Sequence, residues 1–156
     1  MKKMHSAESG FTLTELLVVV AVLGILAAVA VPSFQSLTQN QQVKNASFEL
    51  FSSLSLARSE AIKRNGNVTV TPIDVNDWGK GWAIASSGET IKSQGALKGV
   101  SVVAAGTPAS VVYARTGRAS ASVSFQMDVT PANPDIRRCI KIELSGMPRT
   151  LKGACS

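Results

Sequence analysis

The side chains that most often do chemistry are scarce in this 156-residue chain. There is one histidine, His5, and there are two cysteines, Cys139 and Cys155. His5 lies in a stretch whose removal is expected below, so Ser–His–Asp and Cys–His catalysis, His-ligated metals and imidazole acid–base work lack a participant. Two thiols exclude a four-thiolate zinc site. Neither a paired-carboxylate constellation nor a Gly-Lys-Ser/Thr loop occurs. Gly79-Lys80-Gly81 lacks the flanking spacing of a phosphate loop. Asp74, Asn76 and Asp77 carry the oxygen donors calcium takes but read as turn residues. The expectation is a protein that is not an enzyme, with no cofactor and no metal.

The residue whose placement demands a reason is Glu15. From Leu16 to Val31 every side chain is aliphatic, Ala or Gly, sixteen positions in a row. Phe11 to Val31 is 21 residues, a helix of about 31 Å, which matches a hydrocarbon core of roughly 30 Å. Thr12, Thr14 and Glu15 are the polar side chains in it. A carboxylate near one end of a spanning helix costs a few kcal/mol and needs a partner. A simple anchor gains nothing from it, whereas an assembling subunit can pair it with a neighbour's cation.

The ten residues ahead of the run are polar, with Lys2 and Lys3 expected to stay cytoplasmic and the remainder to lie outside. A secretory signal peptide is cut beyond its apolar region. Here the small residue and expected cut site, Gly10, precedes the apolar run, so the hydrophobic segment stays on the mature protein as its first helix.

Gly10-Phe11-Thr12-Leu13-Thr14-Glu15-Leu16-Leu17 resembles the class III leader junction of type IV pilins and type II secretion pseudopilins, usually G-F-T-L-I-E-L-L, with Thr14 in place of Ile. The resemblance implies that a prepilin peptidase cuts after Gly10 and methylates the new amino group of Phe11. It also implies that Glu15 pairs with the Phe11 amino group of an adjacent subunit. Opposite charges in a low-dielectric setting attract far more than in water, and each is left unpaired without the other. Such a pair would set register in a filament.

Pro32 removes one helix hydrogen bond and is expected to kink the helix or mark a locally melted stretch; its position also matches the pilin pattern. Beyond it, Phe34 to about Lys63 reads as a second helical half. Val43, Ala46, Leu50, Leu54, Ala57 and Ala61 recur at steps of three or four and form the stripe that buries against a head. Gln35, Gln39, Gln42, Asn45, Ser52, Ser59 and Lys63 read as the solvated face. Asn65-Gly66 stops the helix. After Gly66 the period falls to about two, and strands are expected at Val68–Ile73, Gly81–Ser86, Glu89–Ser93, Val100–Ala104, Ser110–Arg115, Ala121–Val129 and Ile136–Leu144. The fold class is therefore α+β, a long N-terminal helix packed on an antiparallel head. The expected organisation is a leader over 1–10, a transmembrane and filament-core half-helix over 11–32, an amphipathic half over 33–65, and a β-rich head over 66–156.

An even cysteine count in an exported head favours a Cys139–Cys155 disulfide, closing a loop of about 17 residues and adding roughly 3 kcal/mol. Losing two lysines and one glutamate with the leader lowers the formal charge from +6 to +5. The excess gathers late, at Arg115, Arg118, Arg137, Arg138, Lys141, Arg149 and Lys152. In a strand from Ile136, Arg137 and Lys141 share one face and Ile140, Ile142 and Leu144 the other.

Arg58 to Asn65, Val68-Thr69-Val70, Trp78 to Trp82, and Val112-Tyr113 to Gly117-Arg118 resemble the GspH/FimT branch of the pilin superfamily, and most of all a FimU-type minor pilin. The resemblance implies a minor pilin that primes type IV pilus assembly and enters the filament near its tip. The implied partners are the prepilin peptidase, the major pilin and other minor pilins, the inner-membrane assembly platform, and the membrane through residues 11–32. The protein would sit in the inner membrane with its head in the periplasm before joining the extracellular filament. Two alternatives stand beside this: a type II secretion minor pseudopilin, and a DNA-binding pilin of natural transformation. FimT-like DNA binders carry Gly-Arg-x-Arg near the C-terminus; the matching positions are Gly146-Met147-Pro148-Arg149. Arg137, Lys141, Arg149 and Lys152 are the candidate phosphate contacts, and DNA is the less favoured partner.

Overall fold

The computed structural model describes residues 11–75, 77–106 and 108–155. The chain divides into two compact units, Met1–Leu37 and Thr38–Ser156. Helix α1 spans Leu13–Arg64 and contains Pro32. It runs through the proline without interruption, so the melted stretch allowed by the sequence does not occur.

Both ends of α1 follow from local chemistry. Thr12 stands just before the first helical residue, and Thr12 and Glu15 bond reciprocally. The Glu15 N–H donates to Thr12 Oγ1 at 3.3 Å, and the Thr12 N–H donates to the Glu15 carboxylate at 2.8 Å. This is a capping box, which satisfies two helix-end donors at once. At the other end Asn65 adopts φ 50°. Gly66 N–H then donates to Ala61 O and Asn65 N–H to Ile62 O, both at 3.2 Å, the bond pair of a left-handed helix stop.

In the second unit, α1 buries Val43, Ala46, Leu50, Leu54, Ala57 and Ala61, the row that the spacing predicts, with Ser47 and Ser53 beside it. Gln39, Gln42 and Ser52 of the polar row are half-buried rather than fully solvated. Among the described residues the head has eight strands: β1 Val68–Asp74, β2 Asp77–Ser86, β3 Glu89–Gln94, β4 Val100–Ala104, β5 Val111–Tyr113, β6 Val123–Val129, β7 Arg138–Ile142 and β8 Pro148–Lys152. They form two four-stranded sheets, in the orders β3-β2-β1-β5 and β4-β6-β7-β8, and every pairing is antiparallel. Trp78 of the first sheet meets Phe125 of the second edge-on, ring centres 4.7 Å apart. That contact closes the core over the helix stripe, and aromatic pairs in this geometry add stability beyond their buried area.

The expected strand over Ile136–Leu144 divides. Pro134–Ile136 is a short 3-10 turn, capped by Asn133 accepting from the Asp135 N–H, and the strand begins only at Arg138. Arg137 therefore belongs to the turn and does not share a strand face with Lys141. Ser110–Arg115 shrinks to β5, whose three residues pair with β1. Strand β8 carries no apolar alternation and is mostly exposed, so its sequence shows no strand period. It forms because β7 offers an edge in register from Arg138↔Lys152 to Ile142↔Pro148.

The turn before β8 is held tightly. Gly146 has φ +78°, and a Cβ there would collide with the Gly117 carbonyl, whose oxygen accepts from Arg58 Nε at 3.1 Å. Gly146→Ala is expected to cost about 1–3 kcal/mol, since it adds backbone strain to a clash that backbone cannot easily relieve. Gly88 has a similar positive φ but open space around it, so a larger fall in thermal midpoint with Gly146→Ala than with Gly88→Ala checks that the clash adds to the backbone strain.

Candidate functional site

The apolar segment presents its side chains outward: Phe11 is 82% exposed and the aliphatic residues to Val31 are likewise uncovered. α1 is long and apolar enough to cross a membrane. Within this segment the Glu15 carboxylate accepts from both the N–H and the hydroxyl of Thr12, each at 2.8 Å. Two hydrogen bonds fill about half of a carboxylate's acceptor sites. They fix the direction of the group without neutralising it, and no cation pairs with it among the described residues. This corrects the expectation that a lone anchor gains nothing from Glu15, because the carboxylate caps its own helix. The sequence signal for it is Thr-x-x-Glu ahead of an apolar run. Gly10 lies outside the described residues.

The candidate basic residues do not gather on one surface. Arg137 donates to Asp128, an aspartate 6% exposed that also accepts from the Val129 N–H at 2.9 Å and the Asn133 N–H at 2.8 Å. Lys141 and Arg149 stand directly across from each other on β7 and β8. Lys152 pairs in register with Arg138, on the opposite face of β8 from Arg149. Cys139 and Cys155 are bonded. The bond, with the Gly153 N–H donating to Arg137 O at 2.8 Å, returns the C-terminal segment to β7. Asp74 pairs with Lys80, and Asp77 accepts from the Gly79 N–H at 2.9 Å, so both carboxylates are engaged within the β1–β2 hairpin. Asn76 lies outside the described residues.

Burial raises the pKa of Asp128, but the Arg137 guanidinium and the Asn133 and Val129 amides outweigh it and hold the carboxyl below the ordinary value. The folded head therefore binds that proton less readily than the unfolded chain. Its contribution is complete above the ordinary aspartate pKa of about 4 and is lost as pH falls through the lower folded value. Urea midpoints should drop as pH is lowered from 5 to 2, and Asp128→Asn should flatten that slope while costing roughly 1–3 kcal/mol at neutral pH. An unchanged slope in the variant would remove Asp128 as its source.

The family model for Type II transport protein GspH matches residues 46–146. The chain belongs to the GspH family. Its members are structural pilin and pseudopilin subunits, not enzymes. The model of the prokaryotic N-terminal methylation motif matches residues 5–31, which include the stretch from Gly10 to Leu17. The type IV minor pilin FimU of Pseudomonas aeruginosa is similar in fold, with TM-score 0.63 at 20% identity over 75% of this chain and 92% of that one. The minor pseudopilin EpsH of the type 2 secretion system of Vibrio cholerae gives TM-score 0.57 at 17% identity over 71% and 97%. A fimbrial protein of P. aeruginosa is 44% identical over 70 residues, and the type IV major pilin PilE1 of Neisseria gonorrhoeae 51% over 43. Those matches span 45% and 26% of the relatives' length. The chain thus joins an N-terminal methylation motif to a GspH-family head whose fold is shared by FimU and EpsH.

Proposed function

We propose that this GspH-family chain is a minor pilin of a type IV pilus that primes assembly and enters the filament near its tip. Residues 1–10 are its leader, removed by a prepilin peptidase after Gly10 with methylation of the Phe11 amino group. Residues 11–32 hold the protein in the inner membrane with the head in the periplasm. Residues 33–65 and 66–156 are the amphipathic half-helix and the head it supports, with a bend at Pro32.

The observation that carries this reading is Glu15. It is the sole carboxylate in a segment able to cross a membrane, its direction is fixed by Thr12, and its charge has no cation beside it among the described residues. A newly freed Phe11 ammonium on an adjacent subunit has the charge and the depth to meet it. The similarity of part of the chain to a fimbrial protein and a major pilin, and of its fold to FimU, supports the pilus over the secretion apparatus. The likeness to EpsH supports the rival, a minor pseudopilin. A deletion strain separates them: the pilus reading expects lost or sparse piliation with normal protein secretion, and the opposite pattern would replace it with the rival.

DNA binding has less support. Arg137 is spent on Asp128, Lys152 faces away from Arg149, and Met147 stands where the DNA-binding relatives carry their first arginine. Of the candidate contacts, Arg149 stands across from Lys141 on one face of the β7–β8 pair.

A further inference from the structure

The exposed apolar residues of α1 within the head line up against a free sheet edge. Phe48 is 68% and Ile62 51% exposed, with Phe51 half-buried between them. Beside them runs β8, the outermost strand of its sheet. A cleft of about 410 Å³ lies between helix and strand, lined by Lys44, Ser47, Phe48, Phe51, Arg138 and Thr150. A second, of about 180 Å³, follows at Phe51, Ile62, Met147 and Pro148. Phe51 walls both, which makes them one groove along the edge of β8.

Its chemistry is one-sided. The ionisable groups lining the larger cleft are Lys44 and Arg138, and neither has an ion-pair partner among the described residues. Arg138 Nε is buried without a hydrogen-bond partner. A buried guanidinium N–H is rarely left unpaired, and a carboxylate is its strongest acceptor. Register places Lys152 beside Arg138, on the same face of β8 as Thr150, which adds a third cation. An edge strand also offers unpaired backbone N–H and C=O groups to an incoming strand.

We propose that this groove receives an extended segment of a neighbouring pilin subunit in which an apolar side chain stands next to a carboxylate. The segment adds to β8, its apolar group rests on Phe48 and Phe51, and its carboxylate takes Arg138 and Lys44. A phosphate backbone would satisfy the cations but leave the aromatic wall bare, whereas an acidic apolar peptide uses both. The source of the segment rests on the pilin reading; the chemistry of the groove does not.

The test uses the full chain in lipid nanodiscs and a fluorescent nine-residue peptide alternating valine or phenylalanine with aspartate. Binding should be saturable and weaken at least tenfold in Arg138→Gln, in Phe48→Ser, and when asparagine replaces aspartate in the peptide. Phe48 is exposed, so its replacement leaves the core intact, and Arg149→Gln, on the other face of β8, should bind like wild type. No binding by wild type, equal binding by Arg138→Gln and Phe48→Ser, or equal binding of the asparagine peptide would overturn the proposal. A photo-reactive phenylalanine in place of Phe48, activated in assembled pili, then identifies the source. Cross-linking to an acidic apolar segment of another pilin supports it, and cross-linking to a second copy of this chain, to lipid or to nucleic acid overturns it. Failure of peptide binding leaves the pilin reading standing, and normal piliation in the deletion strain leaves the peptide result standing.

Discussion

Glu15→Gln should insert into the membrane as well as wild type yet fall at least tenfold in sheared filaments. Glutamine at this position can still accept from the Thr12 N–H, because a capping box works with either side chain. The helix start is therefore preserved and only the charge is removed. If Glu15 serves assembly by meeting the Phe11 ammonium of a neighbour, Gln should be as defective as Ala, since a neutral amide leaves that cation unpaired in low dielectric. If capping of its own helix were the whole role, Gln would restore incorporation and Ala would not. Immunoblots of membrane and sheared-pilus fractions from the three strains distinguish the outcomes. Thr12→Val adds the reciprocal measurement: it removes the hydroxyl partner of Glu15 while keeping the charge, and should cost far less than Glu15→Gln.

The second large effect concerns the C-terminal staple. Cys155→Ser should lower the stability of the head by about 3 kcal/mol, the loop-closure value for this span, and its thermal midpoint by roughly 10–20 °C. The loss should not be spread evenly. β8 is mostly exposed and depends on its pairing with β7 and on the bond from Cys155 to the buried Cys139. Amide exchange in the variant should therefore speed up first over residues 147–155, with β1 and β2 little changed. Uniform loss of protection would show that the staple supports the whole core and not this edge. Peptide binding to the α1–β8 groove should weaken in the same variant, because one wall of the groove is the strand that frays.

Much of α1 is legible in the amino-acid sequence alone. Its buried row from Val43 to Ala61 follows from a spacing of three and four, and its end at Asn65-Gly66 follows from residues that tolerate a left-handed backbone. The capping box at Thr12 and Glu15 is equally local, although a carboxylate at the head of an apolar run points first to an intermolecular partner. The N-terminal methylation motif is a run of adjacent residues, so it too is recognisable without a fold. Tertiary structure decides the rest, because pairing between distant strands is set by which edges are free and not by the pattern within one segment. Nothing in Pro148-Arg149-Thr150-Leu151-Lys152 alternates, and β8 exists because β7 and a disulfide hold it there. Arg137 reads as part of a basic strand face in sequence, but the Pro134–Ile136 turn carries it to Asp128. The late cations form one cluster along the chain, but in the fold the two faces of the β7–β8 pair divide them, so Arg149 and Lys141 stand on one side and Arg138, which lines the groove, and Lys152 on the other.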